Sequence, residues 1–166
     1  MISFANNFSK KFFNRKDSFE LYVQKAQKKC REFKNSVKHG SEEDFEYSIE
    51  LTKSELGLDD ELIDSLLEDY VTQILLTLPE FYKILESLRK SCKKGDEPDM
   101  QPLRDLAHKN LGVARNLRIK DAQKILATIM ISNNLEKIAV YLEYLEACAI
   151  SLKPSVAYKI YNLDKK

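Results

Sequence analysis

Residues 62–78 read Leu62-Ile63-Asp64-Ser65-Leu66-Leu67-Glu68-Asp69-Tyr70-Val71-Thr72-Gln73-Ile74-Leu75-Leu76-Thr77-Leu78. The apolar residues Leu62, Ile63, Leu66, Leu67, Tyr70, Val71, Ile74, Leu75 and Leu78 recur at three- and four-residue steps. That is the period of a helix with one buried stripe, whereas a strand would alternate every two residues. The stripe continues past Pro79 into Phe81, Leu85, Leu88 and Cys92. Proline lacks an N–H and crowds the carbonyl one turn back, so a kink or break is expected near Pro79. Asp59 stands where an N-cap belongs, and Gly57 where a preceding helix ends.

The same period extends in both directions. Residues 93–99 (KKGDEPD) read as a loop, and Pro102 suits the first turn of a helix running to about Leu117. Asp121 opens another helix with Ala122, Ile125, Leu126, Ile129 and Met130 inward, and Asn133-Asn134 is the turn after it. Leu135, Ile138, Leu142, Leu145, Cys148 and Leu152 line a further helix. Pro154 sets off a short last segment with Val156 and Ile160. Upstream, residues 17–20 (DSFE) resemble a capping box. Phe19, Val23, Ala26, Cys30, Phe33 and Val37 then form one apolar seam ended by Gly40. Ser41 with Asp44 predicts the start of a second helix, with Phe45, Ile49, Thr52 and Leu56 inward. No stretch alternates with strand period. The expected fold is therefore all-α: an antiparallel four-helix bundle over 58–152, with two additional N-terminal helices over 17–57. A basic, Phe-rich segment over 1–16 precedes them, and a short segment over 153–166 closes the chain.

Composition agrees. The chain of 166 residues is 43% hydrophobic and 32% charged, with four glycines and four prolines, which favours long regular elements in one domain. A net charge of +1 argues against a nucleic-acid partner. No run approaches the 18 apolar residues of a membrane span, and no signal-peptide core is visible, so a cytoplasmic protein is expected. Residues 1–16 carry Phe4, Phe8 and Phe12 at four-residue steps, with Lys10, Lys11, Arg15, Lys16 and no acid. That is a first helix docking on the bundle, a tail, or a basic amphipathic helix for a membrane or partner. Cys30, Cys92 and Cys148 sit at apolar-periodic positions and form no CxxC, which reads as three buried thiols. No metal-ligand spacing exists, because His39 and His108 have no clustered partners, and neither a metal nor a cofactor is expected.

Charge is unevenly spread. Residues 41–70 hold twelve acids against Lys53 alone. Residues 104–124 hold Arg104, Lys109, Arg115, Arg118, Lys120 and Lys124 against Asp105 and Asp121. Within the basic stretch lies the one glycine that interrupts an apolar period. Gly112 sits in mid-helix, where it costs about 1 kcal/mol relative to alanine. It follows His108 by four residues, one turn along the same face. With Leu103 at zero and 100° per residue, Leu106, Ala107, Asn110, Ala114 and Leu117 cluster inward. Arg104, Arg115, His108 and Gly112 fall at about 100°, 120°, 140° and 180°. The histidine thus projects outward beside a bare patch and between two arginines, which suit an anion or a phosphoryl group on the imidazole. No Gly-rich phosphate loop is present, so ATP binding is not expected.

The run His108-Lys109-Asn110-Leu111-Gly112-Val113-Ala114-Arg115-Asn116-Leu117-Arg118 resembles the core pattern of the histidine-containing phosphotransfer (HPt) family. That pattern is a histidine, two residues, a lysine and a glycine, often followed by Asn-Leu-Gly. The stretches 56–67, Leu78-Pro79-Glu80-Phe81 and Gly95-Asp96 are similar to the long helix and loop that precede it. The likeness spans about residues 54–152. It departs from the pattern at Leu111, where the lysine belongs, at Asn110, where a core leucine belongs, and at Arg118, where the second glycine belongs. The resemblance implies that His108 accepts a phosphoryl group from the receiver domain of a response regulator or from a histidine kinase. It implies further that Gly112 lets the receiver approach, and that Arg104, Lys109 and Arg115 compensate charge. The receiver supplies magnesium. Two other readings remain open: a degenerate HPt-like module that docks a receiver or kinase without transfer, and an unrelated helical adaptor using the 19–37 seam. A further arrangement, Asp69 with Gln73 one turn on, is similar to a receiver phosphatase.

Overall fold

The computed structural model describes residues 18–37 and 45–163. Among them are seven helices and no strand: α1 (Phe19–Val37), α2 (Ile49–Leu56), α3 (Asp60–Lys94), α4 (Gln101–Asn116), α5 (Lys120–Ile131), α6 (Leu135–Leu152) and α7 (Pro154–Leu163). The all-α expectation holds. The phenylalanines and bases of residues 1–16, with Asp17, His39, Gly40, Ser41 and Asp44, lie outside the described residues.

Several helix ends are made by the residues the sequence marks, although α5 opens at Ile119 without a side-chain cap rather than at Asp121. Asp59 Oδ1 accepts from Leu62 N at 2.8 Å and opens α3. Gly57 (φ 66°) and Gly95 (φ 82°) close α2 and α3 in the left-handed conformation that glycine adopts without strain. Asn134 Oδ1 accepts from Lys137 N at 2.9 Å and opens α6. The second helix differs from expectation. Ser48 is its N-cap, its Oγ accepting from Leu51 N at 3.1 Å, and Phe45 is buried on the non-helical approach.

Helix α3 does not break at Pro79. It runs unbroken for 35 residues, about 52 Å, with the proline inside it. Leu75, Leu78, Phe81 and Leu85, on both sides of the proline, are buried in one core. Packing on both flanks holds the helix where the missing N–H alone would loosen it. Leu62, expected inward, is 45% exposed, and Cys92 is exposed rather than buried.

Helix α6 packs against α1, α3, α5 and α7. Its residues Leu145 to Ile150 are buried without interruption, because neighbours cover every side of that turn and a half. Helix α4 packs against α3 and α5, and α2 lies on α3. The seam of α1 is spent inside the chain: Tyr22, Ala26, Cys30 and Phe33 are buried in the core shared with α6. Phe33 meets Tyr141 and Tyr144 ring to ring, at centroid distances of 5.9 and 5.1 Å. Lys29 pairs with Glu143, and Lys153 with Asp64.

Glu146 is the one acid in the buried run of α6, at 2% exposure. Tyr22 of α1 and Tyr161 of α7 both donate to its Oε1, at 3.2 and 2.6 Å. Burial pushes its carboxyl up to about 8, while the two phenol donors pull the other way. A carboxyl with a raised folded value stabilises fully below its unfolded value of 4.5. Between 4.5 and about 8 the unfolded chain gives up its proton first, so stability falls as pH rises through that window. We expect Glu146→Gln to remove this component, a few kcal/mol across the window. Urea unfolding at both ends of the window should then show a flatter pH dependence than in the parent chain.

Candidate functional site

Helix α4 begins after the loop over 95–100. Asp99 Oδ1 accepts from Gln101 N at 3.0 Å, and Pro102 occupies the first turn, where a missing N–H costs nothing. Leu103, Ala107, Asn110, Leu111 and Ala114 are buried on its inner face. His108, Lys109, Gly112 and Arg115 are exposed on the other. The wheel placed His108, Gly112 and Arg115 correctly, and α1 is seated on α6.

His108 makes no hydrogen bond to any described residue, so its imidazole is free on the surface. Gly112 is helical, and a Cβ built there meets nothing within 4 Å. Internal packing therefore does not require this glycine. Its helix cost is borne for no gain within the described chain, and the space it leaves opens outward beside the histidine. Lys109 and Arg115 form no ion pair with a described residue.

Arg104 departs from its expected place at the histidine. It is half-buried, and its guanidinium donates to Asn133 Oδ1 at 2.8 Å, at the turn between α5 and α6. Its Nε is buried without a hydrogen-bond partner among the described residues. Lys109 and Arg115 thus share the exposed side of α4 with His108, while Arg104 is held toward the end of α5.

The three departures from the phosphotransfer pattern each have a structural account. Asn110, at 1% exposure, is fully used: its Oδ1 accepts from Gln73 Nε2 at 2.9 Å and its Nδ2 donates to Leu106 O at 2.8 Å. The pairing removes the penalty of a buried amide and clips α3 to α4. It also engages one N–H of Gln73, the partner of Asp69 in the arrangement that is similar to a receiver phosphatase. Leu111 is fully buried, so the position of the pattern's lysine faces the core. Arg118 sits at φ 61°, the left-handed position where a glycine would be at ease. Its side chain offsets that strain. It donates to Arg115 O at 2.8 Å, at the end of α4, and to Glu55 Oε2 of α2 at 2.5 Å. The acidic stretch thus meets the basic one inside this chain, and further acids pair with Lys53, Lys153 and Lys34.

A second cluster was not visible in the sequence. Cys30 of α1, Asp121 of α5 and Cys148 of α6 are all buried and bring their ligand atoms within 4.8 Å of one another. The two Sγ atoms lie 2.6 Å apart, and Cys30 Sγ is 3.9 Å from Asp121 Oδ2. Burial raises the Asp121 carboxyl above its usual range, against the pull of Lys34. The bond to Cys30, followed by burial, pushes the Cys148 thiol well up. Separations of 91 and 118 residues leave no spacing motif, and each cysteine is indistinguishable from a core residue until the fold joins them.

No protein-family model, curated protein or solved structure matches this chain.

Two stability effects follow from the ends and middle of α4. Gly112→Ala should raise unfolding free energy by up to about 1 kcal/mol in chemical denaturation, since the methyl has room. Arg118→Ala should lower it by about 1–2 kcal/mol, by losing the bonds to Arg115 O and Glu55 while keeping the left-handed strain. Arg118→Gly, which relieves the strain, should cost measurably less than Arg118→Ala in the same assay.

Proposed function

We propose that this chain is a phosphorelay intermediate of HPt type, with His108 as the phosphoryl acceptor. The observation that carries the reading is the exposed, unbonded His108 one turn from Gly112, whose bare backbone opens outward and serves no internal contact. A partner that must bring an aspartyl phosphate to an imidazole nitrogen needs such a gap, because reacting atoms must come within about 3–3.5 Å. The pairwise packing of α3 on α4, α4 on α5, α5 on α6 and α6 on α3 supports an antiparallel four-helix bundle as the scaffold. Glu136 with Arg89 and Asp64 with Lys153 support the antiparallel sense of α3 and α6. Leu76 of α3 and Ile131 of α5, at 63% and 74% exposure, are exposed apolar side chains on the two helices that pack against α4. Such side chains suit the buried centre of a docking interface.

In the proposed reaction the imidazole nitrogen attacks phosphorus as the acyl phosphate bond to the receiver's aspartate breaks. The carboxylate leaves with its electron pair, and the phosphoryl group becomes bonded to His108. The reverse step passes it to another receiver. Lys109 and Arg115 would balance the charge on the phosphoryl oxygens, the usual contribution of a protein to this chemistry. Magnesium would come from the receiver.

A specific observation favours one other reading. Leu111 is buried where the family's lysine belongs, and Arg104 is held by Asn133, so the positive charge near His108 is thinner than the pattern implies. A docking module that has lost transfer fits those two facts. Incubation with a radiolabelled phospho-receiver separates the two. In the transfer reading the parent chain takes up label and His108→Gln abolishes it. In the docking reading neither protein is labelled and both bind the receiver equally. Gly112→Arg should weaken receiver binding at least tenfold in either case. If it binds normally, this face is not the docking surface and both readings fail.

A further inference from the structure

We infer that Cys30, Cys148 and Asp121 form a binding site for a thiophilic divalent cation, zinc above all, at the junction of α1, α5 and α6. Two thiols and one carboxylate converge within 4.8 Å, all three buried. Two sulfurs with one oxygen are a donor set that suits zinc, while magnesium and calcium prefer all-oxygen shells. The 3.9 Å from Cys30 Sγ to Asp121 Oδ2 is already close to what two ligands of one tetrahedral ion require. The two sulfurs, at 2.6 Å, need to separate by about 1 Å to straddle the ion, a small rotation of either cysteine side chain.

The surroundings supply what a metal needs besides its ligands. Asp121 is a buried carboxylate whose nearest donors are the N–H of Ala122, at 2.6 Å, and a thiol. It has no ion pair with a described residue, and a bound cation would satisfy it. The three ligands also line an open cavity of about 690 Å³, together with Lys34, Glu46 and Tyr47. The cavity gives the ion a path in and leaves the fourth position to water. Two thiolates and a carboxylate around a divalent ion leave one negative charge, and Arg31, Lys34 and Lys120 line the same cavity as cations that offset it. The site would fasten α1 to α5 and α6, on a different part of the fold from His108.

Cobalt(II) titration of the full chain, reduced with a phosphine and stripped with a chelator, tests this. We expect a thiolate-to-cobalt charge-transfer band in the near ultraviolet that saturates at one ion per chain and is bleached by zinc. Cys30→Ser and Cys148→Ser should each abolish the band. Asp121→Asn should keep it but weaken cobalt binding by about tenfold or more. Cys92→Ser, at the exposed thiol, should leave it unchanged. Because a core cysteine variant can fail to fold, zinc should also raise the thermal midpoint of the reduced parent chain. No band and no zinc-dependent rise in the reduced parent would overturn the proposal. So would a band that survives both core cysteine variants, or a Cys30–Cys148 disulfide in a protein that binds no metal once reduced.

Discussion

Everything else in this fold leans on the enclosure of α6. Four helices pack around it, and from Leu145 to Ile150 no side of it reaches water. A helix covered all round cannot be amphipathic, yet its sequence carries a glutamate in the middle of that run. The two tyrosines that donate to Glu146 come from α1 and α7, the described helices nearest the two chain ends. A buried acid with two phenol donors is held at low cost while it keeps its proton, and any rearrangement of α1 or α7 would strand it. One polar group thus fixes how two outer helices sit on the central one.

Helix α4 is the opposite case. Among the described helices it packs chiefly on α3 and α5, and its outer face carries His108, Lys109, Gly112 and Arg115. The inner face is closely held. Leu103, Ala107, Leu111 and Ala114 are buried, Asn110 is clipped to Gln73, and Arg118 ties the C-terminal end to α2. A docking surface benefits from such a base, because a partner then meets a shape already formed. The glycine is the visible concession, a loss of helix stability at a point where nothing among the described residues gains from it.

Much of this was legible from periodicity. Asp59, Gly57 and Gly95 mark real helix ends, and the wheel separated the buried Asn110 from the exposed His108 because α4 has a single covered face. What escaped depends on distant partners. Pro79 does not break α3 because the core grips both flanks. Cys92 lies beyond the last buried turn of α3, so its apolar spacing has nothing to pack on. Arg104 points to Asn133 because the turn after α5 returns to the start of α4, which no local pattern encodes. The grouping of Cys30, Asp121 and Cys148 exists only once three helices meet.

The seat of α1 also bears on how the chain is made. Tyr22 finds Glu146 across 124 residues, and Cys30 finds Cys148 across 118. During synthesis α1 therefore leaves the ribosome long before the helix it packs against. For that interval its row of Tyr22, Ala26, Cys30 and Phe33 has no native surface to cover it, while helices joined by short turns can already pair. The nascent chain thus carries an apolar stripe that must be kept from other chains until α6 emerges. On the ribosome α1 can therefore reach its native seat only once α6 has emerged.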